Sequence, residues 1–321
     1  MARLASPPTP EPIAFLAKEP GDWQQRLRAA LPQETIIDLA EMTVPQRQQA
    51  RFAIVANPEV DALNHLPNLQ WIHSLWAGVD SLVAFARDQQ LSLTRLLDPG
   101  LANAMAEAVL AWSLYLSRYM PEYQQKQRDR HWQEQPYRPA ADWQVGVLGL
   151  GQLGLAACKR LRDNGFSVSA WRRRVQQLDV PANVSVFHGP SGLDQLLAQS
   201  DIVVCLLPLT QATRALLNAE KLALFSPTAS IINFARSPIL PTDDLIDALR
   251  MGNLRHAVLD VFDEEPLPRS SELWGMPNAT ILPHCSAPTP PASAIKRVVE
   301  NLAHYRNTGE IRDLVDLAQG Y

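Results

Sequence analysis

The chain has 321 residues, a mass of 35.7 kDa, and is 46% apolar and 19% charged, long enough for two ordinary domains and apolar enough to give each a core. Lys and Arg number 29 against 33 Asp and Glu, a net charge of −4, which excludes a basic field for gathering nucleic acid or anionic lipid. The longest apolar stretch, Leu101 to Ser117, carries Asn103 and Glu107, and the opening MARLASPPTPEP is polar and Pro-rich where a signal peptide needs an apolar run; a cytoplasmic protein with no membrane and no nucleic-acid partner is expected.

In chain order, short apolar runs at Ile13 to Ala17, Thr35 to Leu39, Phe52 to Ala56, Leu69 to Leu75 and Leu93 to Leu97 alternate with amphipathic segments, the first near Trp23 to Leu31. This is the βαβ rhythm of a parallel sheet. Leu101, Met105, Val109, Trp112 and Leu116 recur at helical spacing and predict a helix connecting two domains. Pro121 to Asp142 has no apolar period and is expected to wrap a surface or a neighbouring subunit. A second series follows at Gln144 to Leu148, Phe166 to Trp171, Ile202 to Leu207, Ile231 to Phe234, Ala257 to Phe262 and Thr280 to Leu282. Six strands with intervening helices predict a doubly wound sheet. A last helix, about Ala292 to Arg306, follows Pro290 and Pro291 and can return to the first domain.

The strand at Val145 to Leu148 runs into Gly149-Leu150-Gly151-Gln152-Leu153-Gly154 and then a helical segment, the G-x-G-x-x-G pattern in the setting it requires. Glycines permit a tight turn and close backbone approach, and the helix start offers free N–H groups and a positive dipole end to a pyrophosphate. An NAD site places a carboxylate on the ribose at the end of the next strand. Here that strand ends in Trp171-Arg172-Arg173-Arg174. Guanidinium groups match a 2′-phosphate, so NADP(H) is preferred and NAD(H) is possible, with Arg172 and Arg173 the contacts ahead of Arg174; a solvated basic cluster is the alternative.

Three further strand ends carry chemistry: Asn233-Phe234-Ala235-Arg236, Asp260-Val261-Phe262 leading to Glu265-Pro266-Leu267, and Pro283-His284. Ligands of open α/β sheets bind at these ends. An Arg can fix a carboxylate while a His–Glu pair moves a proton. Cys158, Cys205 and Cys285 lack C-x-x-C spacing and read as small buried apolar residues. His65, His73, His131, His188, His256 and His304 lack ligand spacing, and no metal is expected.

On these motifs, together with Leu206-Leu207-Pro208-Leu209-Thr210 and Thr213, the chain resembles the D-isomer-specific 2-hydroxyacid dehydrogenases from about Ile13 to the C-terminus. Trp171-Arg172-Arg173, Ala77-Gly78-Val79-Asp80 and Gly320-Tyr321 look most like the NADPH-dependent A type of glyoxylate/hydroxypyruvate reductase within that family. The resemblance implies two Rossmann-like or flavodoxin-like doubly wound parallel-sheet domains with a cleft between them. Residues 1–102 and 288–321 would form a discontinuous substrate domain, 103–287 the dinucleotide domain, and the assembly would be a homodimer. It further implies cofactor contacts at Gly149, Gly151, Gln152, Leu153, Gly154, Trp171, Arg172, Arg173, Leu207, Pro208, Thr213, Phe234, Ala235, Arg236, Asp260, His284 and Ser286. A small 2-oxoacid substrate would meet Trp76, Ala77, Gly78, Arg236 and His284, its carboxylate on the backbone N–H groups of the 76–78 loop.

In the mechanism so implied, Arg236 holds the carboxylate and polarises the carbonyl, and His284, kept protonated by Glu265, gives a proton to the oxygen as hydride arrives. Formate dehydrogenases of this fold carry Gln at the position of Glu265. Ser237 stands where the family has Gly, and Cys285-Ser286-Ala287 replaces a small apolar run, changes that bear on substrate placement. Trp76 and Trp132 either line the pocket, Trp132 from across a dimer interface, or pack into a core or interface. A non-catalytic, dinucleotide-sensing binding module on the same fold is the alternative function.

Overall fold

The computed structural model describes residues 11–19, 21–175 and 180–321; the first ten residues of the Pro-rich lead lie outside the described residues. The described residues form twelve strands, eleven of them on the short apolar runs, and every pair is parallel. The first five are β1 (Ile13–Ala17), β2 (Ile36–Asp38), β3 (Phe52–Ala56), β4 (Trp71–Ser74) and β5 (Ser92–Thr94). They pair in the order β2-β1-β3-β4-β5, a doubly wound order whose direction reverses between β1 and β3. The remaining seven are β6 (Gln144–Leu148), β7 (Ser167–Arg172), β8 (Val184–His188), β9 (Ile202–Cys205), β10 (Ser230–Asn233), β11 (His256–Leu259) and β12 (Ala279–Ile281). Their order is β12-β11-β10-β9-β6-β7-β8, and the reversal falls between β6 and β9.

Parallel strands covered on both faces read as continuous apolar runs rather than alternating ones, and β3 (FAIVA) is buried at every position. One face of the five-stranded sheet packs Val55, Ile72 and Leu93 against Leu82, Val83 and Ala86 of the helix Asp80–Asp88. The other packs Phe15, Ile54 and Trp71 against Ile295, Val298, Leu302 and Tyr305. These four lie at three- and four-residue intervals along the helix Pro291–Thr308, one stripe of an amphipathic helix. The chain divides into two units, one running up to Gly100 and resuming with Thr289–Tyr321, the other Leu101–Pro288. The last helix accordingly belongs with the first sheet. In the second unit, Met105, Val109 and Leu116 of the helix Pro99–Ser117 pack on one face of the seven-stranded sheet with Val145, Val147 and Ala157.

Two expectations need correction, and one stretch holds an element that the sequence left unread. The second sheet has seven strands, not six: β8 pairs with β7 from Val168↔Val184 to Arg172↔His188, but no residue of this edge strand is fully buried, so its sequence lacks the apolar run that marked the others. The aperiodic stretch after Pro121 holds a helix, Met120–Arg128, that buries nothing and so leaves no period to read. Cys158 and Cys205 are buried, with burial pushing both thiols up to about 12, but Cys285 is exposed. Among the described residues no helix is long and apolar enough to cross a membrane.

Candidate active site

The turn after β6 assigns a different constraint to each of its three glycines. Gly149 has φ +103°, and a Cβ there would lie 2.9 Å from the Leu206 carbonyl oxygen; only glycine tolerates both. A Cβ at Gly154 would fall 1.8 Å from the Gly149 carbonyl oxygen, whereas one at Gly151 would meet nothing within 4 Å. The first and third glycines therefore close the turn against itself, and the second leaves open space above it. Gly151 is the N-cap of the helix Gln152–Asp163 and provides no side-chain cap, so the first N–H groups face outward unsatisfied. Gln152 is exposed and Leu153 half-buried in that first turn.

At the end of β7, Arg172 and Arg173 are half-buried and Arg174 is exposed. Trp171 is different: it is buried in the core, and its indole Nε1 donates to the Gly189 carbonyl at 2.8 Å. This seats the ring in the core, beside the strand end where the cofactor contact is expected. The loop after β9 is likewise fastened inward. The Thr213 hydroxyl donates to the Pro208 carbonyl at 2.7 Å and accepts from the Thr210 N–H at 2.8 Å. Leu207, Phe234 and Ala235 are buried, which leaves their backbone, not their side chains, for contact with a ligand.

The strand ends β10, β11 and β12 deliver the three chemically active side chains within the second unit. At β10, the Asn233 side chain accepts from the Ala235 N–H at 3.2 Å and donates to the Arg236 carbonyl at 3.4 Å, bracing the turn that carries Arg236. Arg236 Nη1 donates to the Ala235 carbonyl at 2.8 Å. Ser237, the departure beside it, is buried and opens the short helix Ser237–Ile239. Beyond β11, Glu265 Oε1 accepts from the Phe262 N–H at 2.9 Å, and Oε2 lies 2.8 Å from His284 Nδ1. With its Nδ1 turned to that carboxylate, the ring keeps Nε2 for a substrate. The two side chains remain 51% and 36% exposed, as a proton-transfer pair must be to meet a ligand.

His284 has φ +51°, an uncommon conformation for a side chain of its size that persists only where the surroundings enforce it. The enforcing group is Asp260. It is buried, and its carboxylate accepts from the Cys285 N–H at 2.7 Å and the Ser286 N–H at 2.9 Å. Asp260, expected among the cofactor contacts, has each oxygen engaged by an amide and fixes the turn that presents His284. Sequence reasoning quoted Asn233 and Asp260 within motifs but missed these bracing roles, and the signal was their position one residue before a turn, where side-chain carbonyls and carboxylates bind local amides. The Ser286 hydroxyl is buried and has no partner, a polar group that awaits one. That orphan, the open space over Gly151 and the uncapped helix start all fit a bound dinucleotide.

In the first unit, Trp76 is half-buried and meets Trp23 edge to face at 5.6 Å between centroids. Its N–H donates to Ser74 Oγ at 3.0 Å, which removes this amide from the three expected to hold a carboxylate and leaves Ala77 and Gly78. Trp132 belongs to the second unit, in the segment after Met120–Arg128, and is 99% exposed, with Tyr137 nearby in sequence at 73%.

Comparison with known proteins agrees with this arrangement. Residues 110–286 match the model of the D-isomer specific 2-hydroxyacid dehydrogenase NAD binding domain. A glyoxylate/hydroxypyruvate reductase A from Yersinia enterocolitica is 33% identical, the alignment covering 96% of this chain and 97% of that one. A D-isomer specific 2-hydroxyacid dehydrogenase from Xanthobacter autotrophicus, crystallised with NADPH and MES, superposes with a TM-score of 0.89 at 38% identity over 99% of this chain and 100% of the other. An NADPH-dependent glyoxylate/hydroxypyruvate reductase from Sinorhizobium meliloti, crystallised with NADP and sulfate, gives 0.87 at 30% identity over 97% and 100%. A two-sheet parallel fold, a glycine turn built for a pyrophosphate, and a His–Glu pair on the same strand edge thus coincide with likeness along the whole chain, which belongs to the D-isomer specific 2-hydroxyacid dehydrogenase family.

Proposed function

We propose that the protein is a cytoplasmic, NADP(H)-preferring reductase that converts a small 2-oxoacid of the glyoxylate or hydroxypyruvate kind to the D-2-hydroxyacid. The observation that carries this is the 2.8 Å contact between His284 Nδ1 and Glu265 Oε2, on the sheet edge that also carries the Gly149–Gly154 turn. The named activities of the relatives, both in sequence and in structure, weigh against a non-catalytic sensing module.

The uncapped start of the helix Gln152–Asp163 would hold the pyrophosphate of a reduced dinucleotide and Arg172 and Arg173 its 2′-phosphate; held there, it would supply hydride to the carbonyl carbon. Residues 103–287 hold the dinucleotide, while 1–102 with 288–321 recruit the acid through the amides of Ala77 and Gly78. Arg236 pairs with the substrate carboxylate and polarises the carbonyl. His284 Nε2 delivers the proton that the carbonyl oxygen gains, and Glu265 holds the ring in place through Nδ1. Exposed Met120, Tyr123, Trp132 and Tyr137, all on one segment, support a homodimer, because clustered apolar side chains on a surface mark an interaction face.

The test is oxidation of NADPH, with NADH in parallel, against glyoxylate, hydroxypyruvate, pyruvate and an aromatic 2-oxoacid. Fast turnover of a small 2-oxoacid with NADPH is expected; no turnover of any of the four despite cofactor binding would overturn the proposal. Replacing Arg172 and Arg173 together by Ala should raise the KM for NADPH by roughly 5- to 150-fold, at about 1–3 kcal/mol for lost charge-assisted hydrogen bonds. The KM for NADH should stay level. Equal loss with both cofactors would remove the 2′-phosphate role.

A further inference from the structure

The first unit contains a buried polar chain outside the groups assigned above. Arg297 grips Asp313 with Nε at 2.8 Å and Nη2 at 2.9 Å. Asp313 Oδ2 accepts from Asn301 Nδ2 at 3.0 Å, and the same Nδ2 lies 3.1 Å from His73 Nε2. His73 Nδ1 lies 3.0 Å from the Ser74 carbonyl, and Ser74 Oγ accepts from the Trp76 N–H. Asn301, His73 and Ser74 are buried.

Read outward from the ion pair, every donor in this chain has one choice. Asp313, paired with a guanidinium, is an acceptor only, so the Asn301 amide must turn its NH2 toward it. The second hydrogen of that NH2 then points at His73 Nε2, which can only accept. The ring proton is thereby confined to Nδ1, where the Ser74 carbonyl receives it. Burial holds the His73 pKa down to about 4, in keeping with the neutral, single-tautomer ring that this sequence of bonds demands. The orphaned Asn301 Oδ1 fits the same orientation, since reversing the amide would set that oxygen against a carboxylate.

We infer that His73 is a positioning residue for substrate binding: Asn301 and Asp313 fix its Nδ1–H tautomer, and it fixes Ser74, which in turn sets the backbone of the Trp76–Gly78 loop. Burying this polarity, the unpartnered Asn301 Oδ1 included, costs free energy that the order it imposes must offset. Its far end falls on the one loop of this unit expected to take a carboxylate on backbone amides. Such an amide clamp depends on sub-ångström placement, so loosening the loop should weaken substrate capture while leaving the dinucleotide site of the other unit untouched. The inference rests on the proposed role of Ala77 and Gly78.

Two substitutions separate donor from bulk. An Asn side chain places its NH2 where Nδ1 stands, and a Gln places its amide nearer Nε2. His73→Asn can therefore keep the bond to Ser74, whereas His73→Gln cannot. Ser74→Ala deletes the acceptor for the Trp76 N–H with almost no change in volume, and serves if His73→Gln does not fold. The expectation for His73→Gln and Ser74→Ala is a rise of about tenfold in the KM for glyoxylate or hydroxypyruvate, with kcat within about twofold and the Kd for NADPH unchanged. His73→Asn should recover most of the loss. In the unaltered protein, 15N chemical shifts of the His73 ring at pH 7 should show a protonated Nδ1 and a bare Nε2. Gly78→Pro, which deletes a loop amide outright, tests the underlying role. If it raises KM and the Ser74 and His73 variants do not, or if the ring carries its proton on Nε2, the positioning role is overturned. Should Gly78→Pro leave KM unchanged, the carboxylate clamp itself is wrong and the inference falls with it.

Discussion

Two histidines of this protein sit near carboxylates and are built for opposite ends. His284 meets Glu265 directly, at 2.8 Å, half in solvent and on a backbone conformation that a buried Asp260 enforces. His73 is kept one residue away from Asp313, with the Asn301 amide interposed, and is wholly buried. Direct contact in the open leaves the second ring nitrogen accessible, as the proton transfer proposed for His284 requires. An amide spacer in a dry interior disfavours the charged form and holds one tautomer. In the proposed roles, the same ring serves as a proton carrier or a fixed strut according to what touches its nitrogens.

The strongest way to break the contrast is at the exposed ring. His284→Ala should lower kcat by roughly 10²- to 10⁴-fold, the usual share of a general acid, with the Kd for NADPH unchanged by fluorescence titration. Normal turnover would strip His284 of its role. Asp260→Asn comes next. An amide cannot accept from Cys285 and Ser286 with both of its heavy atoms, so one buried N–H loses its acceptor and stability should fall by about 1–3 kcal/mol in urea unfolding, with kcat falling as the His284 turn relaxes. Stability without change would mean that the turn holds itself.

The smallest effect sharpens the buried side. Burial lowers His73 and His256 from the ordinary 6.5 to about 4, so below pH 6.5 the unfolded chain binds protons that the folded chain refuses. Their contribution to stability is intact above pH 6.5 and is lost as pH falls toward 4, at up to about 1.4 kcal/mol per pH unit for each ring. Urea midpoints at pH 7 and pH 5 measure the slope, and His73→Asn should remove its share. A slope that this variant leaves untouched would show that His73 titrates like an exposed ring.

The sequence announced what repeats or turns sharply. Strands buried on both faces are apolar runs, and the glycine turn, Arg236, Glu265 and His284 stand at their ends, so every strand but the edge strand β8, and the three polar side chains with them, could be placed before any coordinates. What escaped is of another kind. Trp76 and Trp132 look alike as pocket candidates in a string of letters, but one packs on Trp23 with its amide tied to Ser74 and the other is 99% exposed. Asp260 was legible as part of a motif, but only the geometry shows its carboxylate holding two amides of a later turn. The His73 chain was invisible because its members lie up to 240 positions apart, and hydrophobic periodicity reports burial without naming hydrogen-bond partners.

One feature of the fold also sets an order of events on the ribosome. The strand β5 is edged by the chain's tail, with Thr94 bridging Leu314 and the Val315 N–H bonded to the Leu93 carbonyl, and His73 is completed by Asn301 and Asp313. The first hundred residues therefore emerge lacking one helix and one edge of their own unit. They must wait while roughly 190 residues of the inserted unit are made, a delay of about 10–40 s at typical synthesis rates. The inserted unit is continuous in sequence and can close on itself as it appears. The part of this unit made before the inserted one thus finishes folding after it, and in that interval its unfinished sheet is open to chaperones and to other chains.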